Sequence, residues 1–306
     1  MNYKYGIIKM VIYMKHIFMV NRFSLRERLD KYINVLDKVA KKLELDYKIE
    51  IHDDDNSTED ILEKYKKNSY IIYTVGGDGI LNRTINTLYG TKNKIGCIPA
   101  GTGNDFNRSI NEFFQEGDNL VDLIKCNDKY FVNVACFGID ADIANDDSLV
   151  HNKFIPRPLQ YKIGVAKHIL LFKPYVFTMK WGKESKTSKL SLVTVCNGGY
   201  YGGGFHVNRD GIYNDGLLDA YIITATNRRQ LTSYLIKLLK GKHKESKYVE
   251  HVRTDKFTII TENEIDGNLD GEVLTSKKFD MSVIPKAITF YYNKKLIDLI
   301  NKELRK

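Results

Sequence analysis

The stretch YIIYTVGGDGILNRTINTL, Tyr70 to Leu88, decides the fold. Its first six residues are dominated by Ile, Tyr and Val, the composition of a strand. Gly76-Gly77-Asp78-Gly79 follows, and Leu81, Ile85 and Leu88 then recur at helical spacing. A strand joined to a helix through glycines has the geometry of a phosphate site. The glycines let the backbone approach an anion, and the first helical N–H groups point at it. Asp78 adds negative charge where phosphate would sit. That suits a magnesium ion held between carboxylate and phosphate, or a carboxylate that orients a hydroxyl. The plainer alternative is an Asp-Gly turn whose carboxylate caps the following helix.

A second join has the same form. KIGCIPAGTGNDFNRSI, Lys94 to Ile110, runs from a strand into a turn where Gly101, Thr102, Gly103 and Asn104 supply donors and Asp105 a carboxylate. In doubly wound sheets, turns at the carboxyl ends of neighbouring strands converge on one crevice. The two turns are therefore expected to line one site. The chain has no Walker GxxxxGK[ST] and no protein-kinase signature, so any nucleotide is held differently.

Around these joins the first 130 residues alternate strand-like and helix-like runs, which argues for a parallel α/β sheet. SLRERLDKYINVLDKVAKKLE reads as one helix. HDDDNSTED, residues 52–60, reads as an exposed turn capped by Ser57 or Thr58 and not as a metal cluster. From about Lys129 the texture becomes short β-rich runs parted by Gly, Asn and Asp, with helical segments only near 158–172 and 228–240. The expected fold is α/β with two domains. A Rossmann-like parallel nucleotide domain spans 14–128, and a β-sandwich-like domain spans 129–287. Residues 288–306 end in a helical period expected to pack back on the N-terminal domain.

Composition fits a globular protein: 43% hydrophobic and 28% charged residues. The four cysteines form no CxxC pair, which suits a reduced, cytoplasmic compartment. Residues 6–20 are interrupted by Lys9 and Lys15 and fall short of a spanning helix. Residues 1–13 read as an extension ahead of Met14, a candidate start. The net charge of +9 is uneven: residues 151–189 carry +8 and residues 225–256 carry +6, leaving −5 elsewhere. Two basic blocks suit an anionic partner, and no aromatic-plus-basic signature points to nucleic acid. The segment RRQLTSYLIKLLK places Leu231, Leu235 and Leu238/Leu239 on one face, with core packing the commoner meaning and membrane contact the alternative. His206 has no nucleophile in a recognisable arrangement and reads as a loop-packing or substrate-lining residue.

VGGDGILN and IPAGTGNDFNRS resemble the two signature loops of the diacylglycerol-kinase-type catalytic domain, found in bacterial lipid kinases and more distantly in sphingosine kinases and NAD kinases. LVDLIKCNDKYFVNVACFGIDADI, NGGYYGGGFHVNRDGIYNDGLLDAYII and NLDGE follow in that family's order. The resemblance implies an ATP- and Mg²⁺-dependent kinase acting on a hydroxyl of diacylglycerol or a similar lipid, with phosphatidic acid as the product from diacylglycerol. It implies a cytoplasmic protein peripheral to the inner membrane surface, with a homodimer among the assemblies it allows. Glu272 matches the general base, Asp78 the nucleotide and metal site, and Asp122 an aspartate linked through water to catalytic magnesium. Asp215 matches the side-chain ligand of a second, structural magnesium, with main-chain ligands at Ile212 and Leu217. ATP-binding positions carried over are Asn21, Gly76, Gly77, Gly79, Asn82, Gly101, Thr102 and Asn104.

Two departures fall on the nucleotide side. The family's Asn-Pro-x-Ser-Gly is here Asn21-Arg22-Phe23-Ser24-Leu25, with Arg22 or Arg26 available to supply charge. Its GGDGT is GGDGI, so Ile80 replaces a hydroxyl. They keep two alternatives open: a non-catalytic nucleotide- or lipid-binding regulator of the same fold, and a soluble-substrate kinase like the NAD kinases.

Overall fold

The computed structural model describes residues 14–101, 104–146 and 157–306, without side chains over 157–162. Residues 1–13 and Thr102 lie outside the described residues, so the calls made on them are not placed. Strands β1 (Lys15–Asn21), β2 (Tyr47–His52), β3 (Tyr70–Gly76) and β4 (Lys94–Pro99) form a parallel array in the order β2-β1-β3-β4. Ile17 to Val20 are fully buried, as expected of a strand covered on both faces. The first helical segment is broken where one helix was expected. Arg26 adopts a left-handed φ of 52°, so α1 (Arg22–Leu25) ends there and α2 (Leu29–Lys42) begins after a single 3₁₀ turn. Helices α3 (Thr58–Glu63), α4 (Asp78–Leu88) and α5 (Asp105–Phe113) complete the unit. Ser57 caps α3 by accepting the Asp60 N–H at 3.0 Å.

The second unit is β-sandwich-like. Strand β5 (Gly117–Cys126) leads into it through β6 (Lys129–Phe131), and β7 (Val134–Gly138), α6 (Ile139–Ala144), α7 (Arg157–Leu171) and β8 (Tyr175–Trp181) follow. After these come β9 (Glu184–Leu190), β10 (Leu192–Cys196), the β11–β12 hairpin (Tyr200–Tyr201 and Phe205–His206) and β13 (Leu218–Ile223). Next are α8 (Arg228–Leu239) and β14 (Val249–Thr254). Helix α6 is a correction: Lys129–Ile143 read as continuous β-rich sequence, yet Gly138 turns left-handed at φ 87° and starts six helical residues. Among the described residues strand β9 pairs only with β8, and its polar ESKTSK run is that of an exposed edge.

Two long strands follow, and the second of them joins the units. β15 (Lys256–Leu269) pairs with β8 at its start and with β7 at its end, and its register against the strand that follows it shifts between Ile260 and Ile265. Switching partners across such an irregularity folds the sheet over a core that includes Phe137, Phe177, Val195 and Phe279. β16 (Glu272–Tyr292) pairs with β15, then with β5 and β4, so one strand crosses from the second unit into the first. It is followed by α9 (Lys294–Leu304), whose Leu296 and Ile300 pack with Tyr32, Leu36 and Val39 of α2.

Candidate active site

Because β3 and β4 lie side by side with Gly76 opposite Pro99, their carboxyl-end turns meet. Gly76 O accepts the N–H groups of Ala100 at 2.9 Å and Gly101 at 3.1 Å. A Cβ on Gly101 would stand 2.5 Å from Gly77 Cα, so only glycine fits where the turns touch. Asn104, left-handed at φ 52°, closes the second turn: its Oδ1 accepts the Gly101 N–H and its Nδ2 donates to Gly101 O at 2.7 Å. Gly101→Ala should cost about 1–3 kcal/mol by forcing the turns apart, read as a lowered Tm. An unchanged Tm would mean that the turns do not touch.

Asp78 ties the two turns together. Its Oδ2 accepts the Asp105 N–H at 3.0 Å and its Oδ1 the Phe106 N–H at 3.3 Å. The carboxylate is thus a cap, but for α5 and not for its own helix. Burial, with the Asp105 charge adding to it, raises the Asp78 pKa against these N–H donors. Gly79, the second residue of α4, lies beside Glu272. Asn21 also caps, accepting the N–H groups of Phe23 at 2.9 Å and Ser24 at 3.2 Å. Asn82 turns inward, donating to Tyr130 O at 3.1 Å and so fastening α4 to β6. Ile80 is 3% exposed and sits in the core with Ile17, Met19 and Ile72, so the substituted side chain faces the protein interior. Arg22 and Arg26 are exposed, whereas Arg28, which the sequence did not single out, donates to Ala100 O at 3.0 Å.

The β15–β16 turn brings the second unit to this point. Glu272 Oε1 lies 3.1 Å from Arg83 Nε and beside Gly79, 3.7 Å from where a Cβ would project. Asp270, left-handed at φ 48°, fixes the turn: its carboxylate accepts the N–H groups of Val132, Asn133 and Val134 at 2.7 to 3.1 Å. Burial, with the Asp78 charge adding to it, pushes Asp270 up to about 6 against those donors. Asp140 on α6 is likewise pushed up to about 6 by burial, while the Tyr201 hydroxyl donates to it at 2.5 Å. Asp78, Asp105, Asp140 and Asp270 line one cavity of 310 Å³. Asp140 and Tyr201 also belong to the wall of an adjacent apolar cavity formed by Ile143, Val165, Leu231 and Leu238. Sequence reasoning missed Asp140, Arg83 and the anchoring role of Asp270. The signals were the acids of GIDADI and the Asp preceding Gly271-Glu272.

The remaining predicted residues gather elsewhere. Asp122 is fully buried on β5 and does not line the cavity. Its oxygens accept the N–H groups of Gly216 at 2.7 Å and Lys286 at 2.6 Å. It anchors the loop carrying Ile212, Asp215 and Leu217. Asp215 Oδ1 accepts the Leu217 N–H at 3.0 Å, and Arg253 pairs with its other oxygen. A carboxylate oxygen that accepts from a guanidinium keeps a second lone pair, so Asp215 remains able to ligate a cation beside Arg253. If Asp215 holds a structural magnesium, chelation should lower Tm by several degrees, and an unchanged Tm would leave Arg253 as its partner. Among the described residues, no group of three or more His, Cys, Asp or Glu is placed to grip a metal by itself. His206 stacks on Tyr200 with ring centroids 4.0 Å apart, a packing role.

Comparison with known proteins matches this arrangement. The diacylglycerol kinase catalytic domain family matches residues 15–130, and the YegS C-terminal NAD kinase beta sandwich-like domain matches residues 133–292. A protein of Shewanella frigidimarina named "Probable lipid kinase YegS-like" is 30% identical over 230 residues, covering 70% of this chain and 74% of its own. A solved structure described as a diacylglycerol kinase from Bacillus anthracis shares the fold, with a TM-score of 0.71 at 21% identity, over 92% of this chain and 98% of that one. With both domain families matched in order along one continuous sheet, the chain belongs to the YegS-like lipid kinase family built on the diacylglycerol kinase catalytic domain.

Proposed function

We propose that the protein transfers the γ-phosphoryl group of ATP to a hydroxyl of diacylglycerol or a similar neutral lipid. The observation that carries this reading is the wall shared by the two cavities. Asp140 and Tyr201 face both the carboxylate-lined cleft beside the glycine turns and the apolar cavity under α7 and α8. A hydroxyl held at that wall would have a polar reaction site on one side and room for the start of an apolar chain on the other.

In this mechanism the paired turns receive the phosphates on backbone N–H groups, where only glycine allows the approach. Glu272 takes the proton from the lipid hydroxyl as its oxygen bonds to the γ-phosphorus and the bond to the ADP oxygen breaks. Arg83 holds Glu272 toward the first turn, and Asp270 holds the strand turn that carries Glu272. Three of the cleft carboxylates have raised proton affinity, so a divalent cation is a favourable partner there. Magnesium is suited to such a place because it takes one or two carboxylates and completes its shell with substrate phosphates and water, neutralising charge on the transferred group. Asp78 and Asp105 are the residues that would hold it.

The test is transfer of labelled γ-phosphate from ATP to diacylglycerol in mixed micelles with Mg²⁺. Labelled phosphatidic acid that depends on Glu272 is the expected result. ATP binding without any lipid product would direct attention to a soluble acceptor, and loss of both would leave a non-catalytic protein of this fold.

A further inference from the structure

We infer that the outer face of the α7–α8 layer is a docking surface for an anionic phospholipid bilayer. Helices α7 and α8 cover the sheet through Val165, Ile169, Leu231, Tyr234 and Leu238. What they do not bury points away from that layer. Leu170 and Leu171 are 61% and 67% exposed, and Ile236 and Leu239 are 48% and 72% exposed. A lone exposed leucine is ordinary. Here, with Ile163, five of the eleven large exposed apolar side chains among the described residues fall on two helices that touch. That concentration marks an interaction face.

Charge complementarity selects the occupant. Ile236 shares an open groove with Arg228, Arg229, Lys237, Lys240 and Lys242, opposed only by Glu245. Thr232 and Ser233 occupy the same stripe at helical spacing, adding hydroxyls. Among the described residues, no carboxylate forms an ion pair with Arg228, Arg229, Lys240 or Lys242. A protein partner with an acidic patch would satisfy the cations but leave four large apolar groups to a matching hollow. A bilayer supplies anionic headgroups and hydrocarbon together, in the layered order in which a basic, apolar-tipped helix presents them. Among the described residues no helix is long and apolar enough to cross a membrane, so the contact is from one side.

The position gives the surface its purpose. Beneath it, Val165, Ile169, Leu231 and Leu235 line the apolar cavity that opens to Asp140 and Tyr201. Docking by this face would set a lipid source against the route to the cleft. That purpose rests on the proposed lipid chemistry, whereas the docking itself can be measured without turnover.

The experiment is flotation of the full chain with vesicles of phosphatidylcholine alone and of phosphatidylcholine mixed with phosphatidylglycerol. Wild type should float only with the anionic vesicles and lose binding as salt rises. Arg229→Glu with Lys240→Glu should lower partition more than about tenfold. Leu171→Glu with Leu239→Glu should do the same at low salt. Both double variants should keep the wild-type Tm and wild-type turnover of a water-dispersed short-chain diacylglycerol. Equal flotation with both vesicles, or variants that float like wild type, would overturn the surface. So would a concentration-dependent dimer, abolished by Leu239→Glu, in a protein that never floats. If docking fails while short-chain turnover persists, the kinase reading stands alone. If docking holds and no lipid is phosphorylated, the kinase reading fails instead.

Discussion

Glu272→Gln should lower turnover by about 10²–10⁴-fold while leaving Tm near that of wild type. The two halves of this expectation have separate grounds. Glutamine keeps the shape of the side chain and an oxygen able to accept from Arg83, but it cannot take a proton from the attacking hydroxyl. Glu272 and Arg83 are 41% and 44% exposed, so their pair contributes little to folding. The turn itself is held by Asp270 on three backbone N–H groups, which the substitution does not touch. Phosphate transfer to diacylglycerol and thermal melting, run on the same preparation, read both. Near-normal turnover would end the general-base assignment. A large fall in Tm would show that the loss of activity came from the fold.

Much of this fold could be read from local pattern. The runs YIIYTV and KIGCIP became β3 and β4 with boundaries close to those expected, because each is a short apolar run closed by glycine or proline. Convergence of the two glycine turns also followed, since adjacent parallel strands end together. Elements whose cause lies outside their own residues were not legible. ESKTSK carries no apolar alternation and is a strand because β8 offers it an edge. Pro285 and the expected boundary at 287 argue for a break there, yet β16 continues through both, with the pairing to β5 shifting register between Ile284 and Ile288. Helix α2 begins late because Arg26 takes a backbone conformation that its own type does not favour. The site shows the same division. Glycine placement was legible, because close approach excludes every other residue. Asp140 and Arg83 were not, since one acid among several in GIDADI and a helical arginine acquire meaning only when distant elements bring them together. Asp122 and Asp215 came from family likeness; the structure puts Asp122 on β5, where it anchors the loop that carries Asp215, and Asp122 does not line the cleft.

Asp78→Asn and Asp78→Ala should both lose most turnover, but the alanine variant, which loses both cap bonds and not one, should lose more stability. Asp78 has two physical roles that the pair of substitutions separates. As a cap, its oxygens satisfy the N–H groups of Asp105 and Phe106 at the start of α5. Asparagine keeps one such oxygen and is itself a good capping residue. Alanine leaves the donors without a partner, at a cost of about 1–2 kcal/mol, lowering Tm by a few degrees. As a charge, the carboxylate faces the cleft with Asp105 and Asp270, where burial already raises its proton affinity. Neither replacement can attract a cation there. Saturating Mg²⁺ should therefore restore little activity to either variant, and the apparent Mg²⁺ requirement of Asp78→Asn should rise. If Asp78→Asn instead turns over lipid at the wild-type rate with an unchanged Mg²⁺ requirement, then Asp78 serves only to cap α5. The answer to why a carboxylate stands among those glycines would then be structural, and the cation, if it binds, would be held by Asp105 from the neighbouring turn.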